Sequence, residues 1–274
     1  MIRSLTRPLF LAAVVSTSLF AAACSDDPSR EGLTFSTLDA AHLERALDLT
    51  AGRDLSMLYV TGLFVSGANE PAPACPVFVS TGNVTTVTGG CTSDDGARFE
   101  GRIVITNMPA LFGESPTYDP TQPSVIEAID WKATDADGLV QGIDGKLTAT
   151  GDADSAVSMT GAVDATLDGI TAHLEMSTSC DDADRCTMAD GSFFEIEGLG
   201  AATLSGSYGF ADPPSGAITA TGAETLVLDV AAGTDTCRTY RIGSAAPVQL
   251  CEEEQPSGKR MLGSRFGNRA SSWL

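Results

Sequence analysis

From Leu55 onward, apolar and polar residues tend to alternate with a period of two. Successive side chains of a strand point to opposite sides of the pleat, so this pattern predicts strands with one dry and one wet face. In RFEGRIVIT, Phe99, Gly101, Ile103 and Ile105 fall on one side, and Arg98, Glu100 and Arg102 on the other. The clearest run is VSMTGAVDATLDGITAHLEM. Asp168-Gly169 suits a type I′ turn, whose two central residues need positive φ. Folding the chain there sets Leu167 against Ile170, Ala165 against Ala172, Val163 against Leu174 and Gly161 against Met176 on one face. Thr166 then meets Thr171, and Asp164 meets His173, on the other. A slip of one residue would expose the whole apolar set, so the register is well specified.

Further hairpins are expected at Asp144-Gly145 and at ADPPSG, the latter setting Phe210 near Ile218 and Tyr208 near Ala220. Asp-Gly recurs at 144, 168 and 190, but the sequences between do not match, which argues for a meander and against a solenoid. Gly200, Ala202, Leu204 and Gly206 form an inward row of small residues, fitting either a thin core under a curved sheet or a hollow for a ligand. In the Pro-interrupted NMPALFGESPTYDPTQPS, Met108, Leu111 and Phe112 either cover a sheet edge or form an exposed tip. Ahead of the strands, STLDAAHLERALDLTAG carries a helix signature, with Ser36 as cap, Asp39 three residues on and Gly52 as terminator. Ala40, Leu43, Ala46 and Leu47 share a face, with His42, Glu44, Arg45 and Asp48 facing elsewhere. The expected fold is mainly β: an antiparallel meander forming a curved sheet, sandwich or barrel, with one short N-terminal α-helix.

The two ends of the chain differ from this body. Arg3 and Arg7 precede PLFLAAVVSTSLFAAA, an apolar stretch too short and too abruptly ended for a comfortable membrane span. Ala21, Ala22 and Ala23 lead to Cys24, and SDDPSR follows. This segment resembles the lipobox of bacterial lipoproteins, departing from its commonest form at Ala21, where Leu is preferred. The resemblance covers only the first tenth of the chain. It implies cleavage before Cys24, acylation of that cysteine with fatty chains such as palmitate, and a place in the bacterial cell envelope. Ser25 after the cysteine implies the outer membrane. An ordinary secretory signal cut after Ala23, leaving Cys24 a free thiol, is the other reading. At the far end, Lys259, Arg260, Arg265 and Arg269 follow a Pro-Ser-Gly break with scattered apolar residues, as in a disordered basic tail. The expected organisation is a signal peptide over 1–23, a lipidated tether over 24–35, one β-rich domain over 36–252 and a tail over 253–274.

Seven cysteines become six when Cys24 is set aside, an even number suited to an oxidising compartment. A hairpin turning at Gly82-Asn83 pairs Thr81 with Val84 and Phe78 with Val87, which brings Cys75 within one residue of Cys91. A three-residue loop at Gly243, Ser244 and Ala245 sets Tyr240 against Val248 and Cys237 opposite Cys251. Cys180 and Cys186 then pair by default. No spacing typical of a zinc site is present.

The chain has 16 basic against 36 acidic residues, a net charge of −20. Six of the basic residues lie in the two ends, so the body is more acidic still. Such a surface repels phosphate backbones and excludes nucleic acid as a partner. It also repels anionic headgroups, leaving the lipid anchor to hold the membrane. The residues offer little for catalysis. The two histidines are placed on polar faces, SGSYG misses the nucleophile-elbow motif by its first residue, and no predicted cleft singles out a carboxylate pair such as Glu195 and Glu197. CDDADRCTMADGS is a candidate calcium loop, with Asp181, Asp182, Asp184 and Asp190 as ligands, or else a solvated hairpin tip. The sequence therefore predicts a non-enzymatic, lipid-anchored envelope protein with a structural, adhesive or macromolecule-binding role. The alternative is a carrier of an apolar ligand within the curved sheet. No cofactor beyond calcium is implied.

Overall fold

The computed structural model describes residues 31–55, 58, 74–108, 118–151, 157–181, 185–209, 215–230 and 237–251, with backbone alone for 237, 238 and 251. A 3-10 turn, Phe35–Thr37, leads into helix α1, Ala40–Thr50, and helical backbone resumes at 53–55. The strands follow in order: β1 (Val77–Thr81), β2 (Val84–Thr88), β3 (Cys91–Thr92), β4 (Arg98–Thr106), β5 (Ser124–Thr134), β6 (Val140–Thr150), β7 (Val157–Leu167) and β8 (Ile170–Cys180). Then come β9 (Arg185–Met188), β10 (Phe193–Ile196), β11 (Gly200–Gly209), β12 (Ser215–Thr221), β13 (Thr225–Asp229), β14 (Cys237–Ile242) and β15 (Val248–Cys251). All belong to one antiparallel sheet, ordered as a meander from β1 to β15, with β3 and β9 as side branches. The mainly β, single-helix reading holds.

A flat path of thirteen strands would be roughly 58 Å wide at about 4.8 Å per spacing, whereas an 11-residue helix is about 16 Å long. Yet one core unites Val87 of β2, Leu147 of β6, Leu174 of β8, Phe194 of β10 and Tyr240 of β14 with Ala46, Leu47 and Leu49 of α1. The sheet must coil around the helix. Irregular spots supply the bend, since a bulge adds a residue to one strand and sharpens the local twist. Two residues of β5, Ile129 and Asp130, oppose Asp144 alone on β6, and β4 shifts register at Gly101.

The expected turn at Asp144-Gly145 does not occur, because both residues lie inside β6. The Asp144 carboxylate accepts a hydrogen bond of 2.8 Å from the backbone N–H of Asp130, a donor the bulge leaves unpaired. Gly145, at φ +137, allows the β7 backbone to approach so closely that a Cβ would sit 2.3 Å from the Ala162 carbonyl oxygen. The chain turns instead at 135–139, where the Asp135 carboxylate accepts from the N–H groups of Asp137 and Leu139. Asp190-Gly191 is likewise no hairpin. It interrupts what is otherwise one strand, since β9 and β10 both run antiparallel to β8 and β11. Of these three Asp-Gly pairs, Asp168-Gly169 alone makes a two-residue turn, with φ of +48 and +81, in the expected register.

Three further expectations are corrected. The β11–β12 hairpin pairs Tyr208 with Gly216 and Leu204 with Ala220, a shift of four that leaves every side chain on its expected face. Asp39 caps α1 by accepting from the His42 N–H at 3.0 Å, while Ser36 lies in the 3-10 turn. Arg45 and Asp48, read as solvent-facing, are buried, because the sheet surrounds the last two turns of α1. Arg45 donates to both carboxylate oxygens of Asp54, at 3.0 and 2.8 Å, and this paired charge replaces the water that the sheet excludes. Met108 is buried, and Asn107 binds the connection beside it through the Asp119 N–H and the Asp119 and Gln122 carbonyls. Leu111, Phe112 and Phe210 lie outside the described residues.

Candidate interaction surface

Cys24 and the signal-like segment lie outside the described residues, but the chain beyond them is held firmly. The boundary expected at 35 falls within packed structure, because Leu33 and Phe35 are each 1% exposed. Residues 31–33 cross the end of the sheet as a strap. Leu33 donates to the Ala201 carbonyl, Ala201 to that of Glu31, and Ala223 to that of Leu33, at 2.8–3.0 Å. The strap passes so close to the β12–β13 turn that a Cβ on Gly222 would lie 2.5 Å from the Leu33 carbonyl oxygen. The Glu224 carboxylate then receives the Ser36 N–H at 2.7 Å and its hydroxyl at 2.8 Å, and these bonds hold its pKa below the ordinary value. Ser36 and Glu224 are 188 residues apart, and no spacing signal in the sequence could have linked them.

At the other end, Cys180 and Cys186 form a disulfide, as do Cys75 and Cys91. Cys237 faces Cys251 across β14–β15 in the expected register, with both side chains outside the described residues. Within the Cys180–Cys186 loop, Asp181 is engaged by Arg185 through the backbone N–H at 3.0 Å and the guanidinium at 2.9 and 3.1 Å. Asp182 and Asp184 lie outside the described residues. Asp190 sits in the 189–192 interruption beside Ser177, four positions along β8 from Asp181 and so roughly 13 Å away. The structure therefore does not bring Asp181 and Asp190 together as co-ligands, and among the described residues no group of carboxylates, histidines and cysteines is arranged to hold a metal ion.

On the outer face, pairing aligns Asp144, Asp164, His173 and Glu195 in a row across β6, β7, β8 and β10. His173 was expected to face Asp164, and it does. Its Nδ1 lies 2.8 Å from Asp164 and its Nε2 3.2 Å from Glu175, with the Phe193 ring 5.6 Å away. A neutral imidazole donates from only one nitrogen, so two carboxylate partners fit the imidazolium. Burial pulls the His173 pKa down, but the hydrogen bonds it donates to Asp164 and Glu175 outweigh it and the net shift is upward. Glu195 and Glu197 fall on the same side of the sheet, Glu195 in β10 and Glu197 in the turn beyond it. His42 pairs with Asp39 at 2.8 Å. Each described histidine is thus occupied by a structural carboxylate.

Among the described residues, the buried half of α1 packs against the concave face. A void lined by Leu55, Leu147, Met159 and Met176 measures about 10 Å³, on the scale of one water. Apolar exposure gathers instead at the edge strands, with Val77 and Val79 on β1 (45% and 56% exposed) and Val248 and Leu250 on β15 (49% and 37%). Trp131 is spent on packing, its ring 5.7 Å from Phe99. Comparison with family models, with curated proteins and with solved structures found no match to this chain.

Proposed function

We propose that this is a lipid-anchored protein of the bacterial envelope, acylated at Cys24, that displays the acidic outer face of one coiled sheet to other macromolecules. The observation that carries the reading is the burial of α1 on all sides from Arg45 to Thr50. A carrier needs its concave face open for an apolar guest, whereas among the described residues the buried half of α1 packs against that face. What remains for recognition is the convex face and the edges. The lipobox-like segment and the paired cysteines support the envelope location, the latter because disulfides persist in oxidising compartments.

Two measurements test it. Radiolabelled palmitate should enter the wild-type protein and not Cys24→Ser, and only the former should sediment with membranes. Equal labelling would refute the anchor. Native mass spectrometry of the purified soluble domain should show the bare polypeptide mass, and retained lipid would instead favour the carrier.

A further inference from the structure

The strap determines at which end of the sheet the chain enters the folded body. Residues 31–36 bind Ala201, at the start of β11 just past the 197–199 turn, and the turn at 222–224. Because Ile196 pairs with Ala172 and Gln141 with Leu167, the turns at 135–139 and 168–169 lie at this same end. Thr150 and the Cys180–Cys186 loop lie at the opposite one. Strands β6, β7 and β8 each run 11 residues, so the two ends stand about 35 Å apart. From Cys24 to Glu31 the chain spans seven residue steps, which reach at most about 25 Å when fully extended.

We infer that the end carrying the 135–139, 168–169, 197–199 and 222–224 turns faces the lipid surface, while the disulfide-closed end points away from it. The inference rests on acylation of Cys24. A leash of about 25 Å, fixed at one end of a body about 35 Å long, is too short to let the body stand inverted with its disulfide-closed end on the bilayer. The membrane-facing end carries Leu199, 40% exposed, and, on its other turns as well as beside it, the carboxylates of Asp137, Asp168 and Glu197. That mixture suits a zwitterionic surface and is repelled by an anionic one within a Debye length of about 8–10 Å. The strap also works as a latch. Its hydrogen bonds to Ala201, Ala223 and Glu224 keep the leash short by preventing residues 31–36 from peeling off and lengthening it.

The test uses the full acylated protein in phosphatidylcholine vesicles. A fluorescent amino acid replaces either Asp137 or Thr150, both exposed and at opposite ends, and energy transfer to a rhodamine headgroup lipid is measured. Transfer from position 137 should exceed that from 150 at least twofold. Inserting a 12-residue Gly/Ser segment between Arg30 and Glu31 should erase most of that difference, and Glu224→Ala should reduce it. Equal or reversed transfer, with the acyl mass present on the N-terminal peptide, overturns the orientation and leaves the anchor standing. An N-terminal peptide without acyl mass, from a protein that does not bind vesicles, overturns both.

Discussion

The β7–β8 hairpin and helix α1 bury comparable apolar faces, yet they treat their polar residues in opposite ways. In the hairpin, every second residue faces outward, and Asp164, His173 and Glu175 meet one another at the surface. In the helix, Arg45 and Asp48 lie on the side opposite Leu43 and Leu47, and they are buried nonetheless. A sheet in a single coiled layer keeps one face wet along its whole length. A helix inside that coil has no wet face, and its charges must find partners within the protein. The polar half of an amphipathic pattern therefore reports solvent only where the element lies at the rim of the fold.

The strongest test of this contrast is Arg45→Met, which strands the Asp54 carboxylate in the core. It should cost about 3–5 kcal/mol in urea denaturation, and Arg45→Met with Asp54→Leu should recover much of that loss. If the single and double variants were equally unstable, the pair would not be a coupled unit. Within the sheet, Gly145→Ala combines an unfavourable φ with a clash against the Ala162 carbonyl and should cost about 3 kcal/mol by strain and overpacking. Gly169→Ala has open space and should cost only about 1 kcal/mol. Equal costs would mean that the two Asp-Gly pairs do the same job. Replacing Cys180 and Cys186 by serine opens a loop of six-residue separation and should lower stability by about 2 kcal/mol on the loop-closure model, read as a shift in the urea midpoint.

The smallest effect concerns the hairpin's surface. His173 has a pKa above 6.5 in the folded protein, set by burial, which lowers it, and by the stronger combined pull of Asp164 and Glu175. Its contribution to stability is complete below the unfolded value of about 6.5 and disappears as pH rises through the folded value. His173→Gln should remove that increment, so the melting temperatures of variant and wild type should converge between pH 6 and 9. Parallel curves would show that the ring is not clamped as an imidazolium.

Local patterns go far with this chain. The period-two runs, the Gly82-Asn83 and Asp168-Gly169 turns and the loop at Gly243 predict three hairpin registers that the structure reproduces pair by pair. The Cys75–Cys91 disulfide follows from the same reasoning, because a cysteine at the base of a hairpin meets what the register sets beside it. The Cys180–Cys186 disulfide follows by default, as the pair left over. Asp144-Gly145 misleads because its residues have two uses. Asp can accept from a bulge's orphan N–H as readily as it can start a turn, and Gly serves close backbone approach as readily as positive φ. Nothing within a few residues distinguishes the two.

The sequence alone settled what depends on neighbours along the chain: strand faces, tight turns, hairpin pairing and the acidic character of the surface. Tertiary structure alone decided what depends on elements far apart. It wrapped the sheet around α1, which turned an expected polar face into a buried Arg45–Asp54 pair. It also tied Ser36 to Glu224 and so fixed where the chain enters the fold. The reason is that a side chain's environment is set by everything that packs against it, and for a helix inside a coiled sheet those groups are scattered over the whole chain.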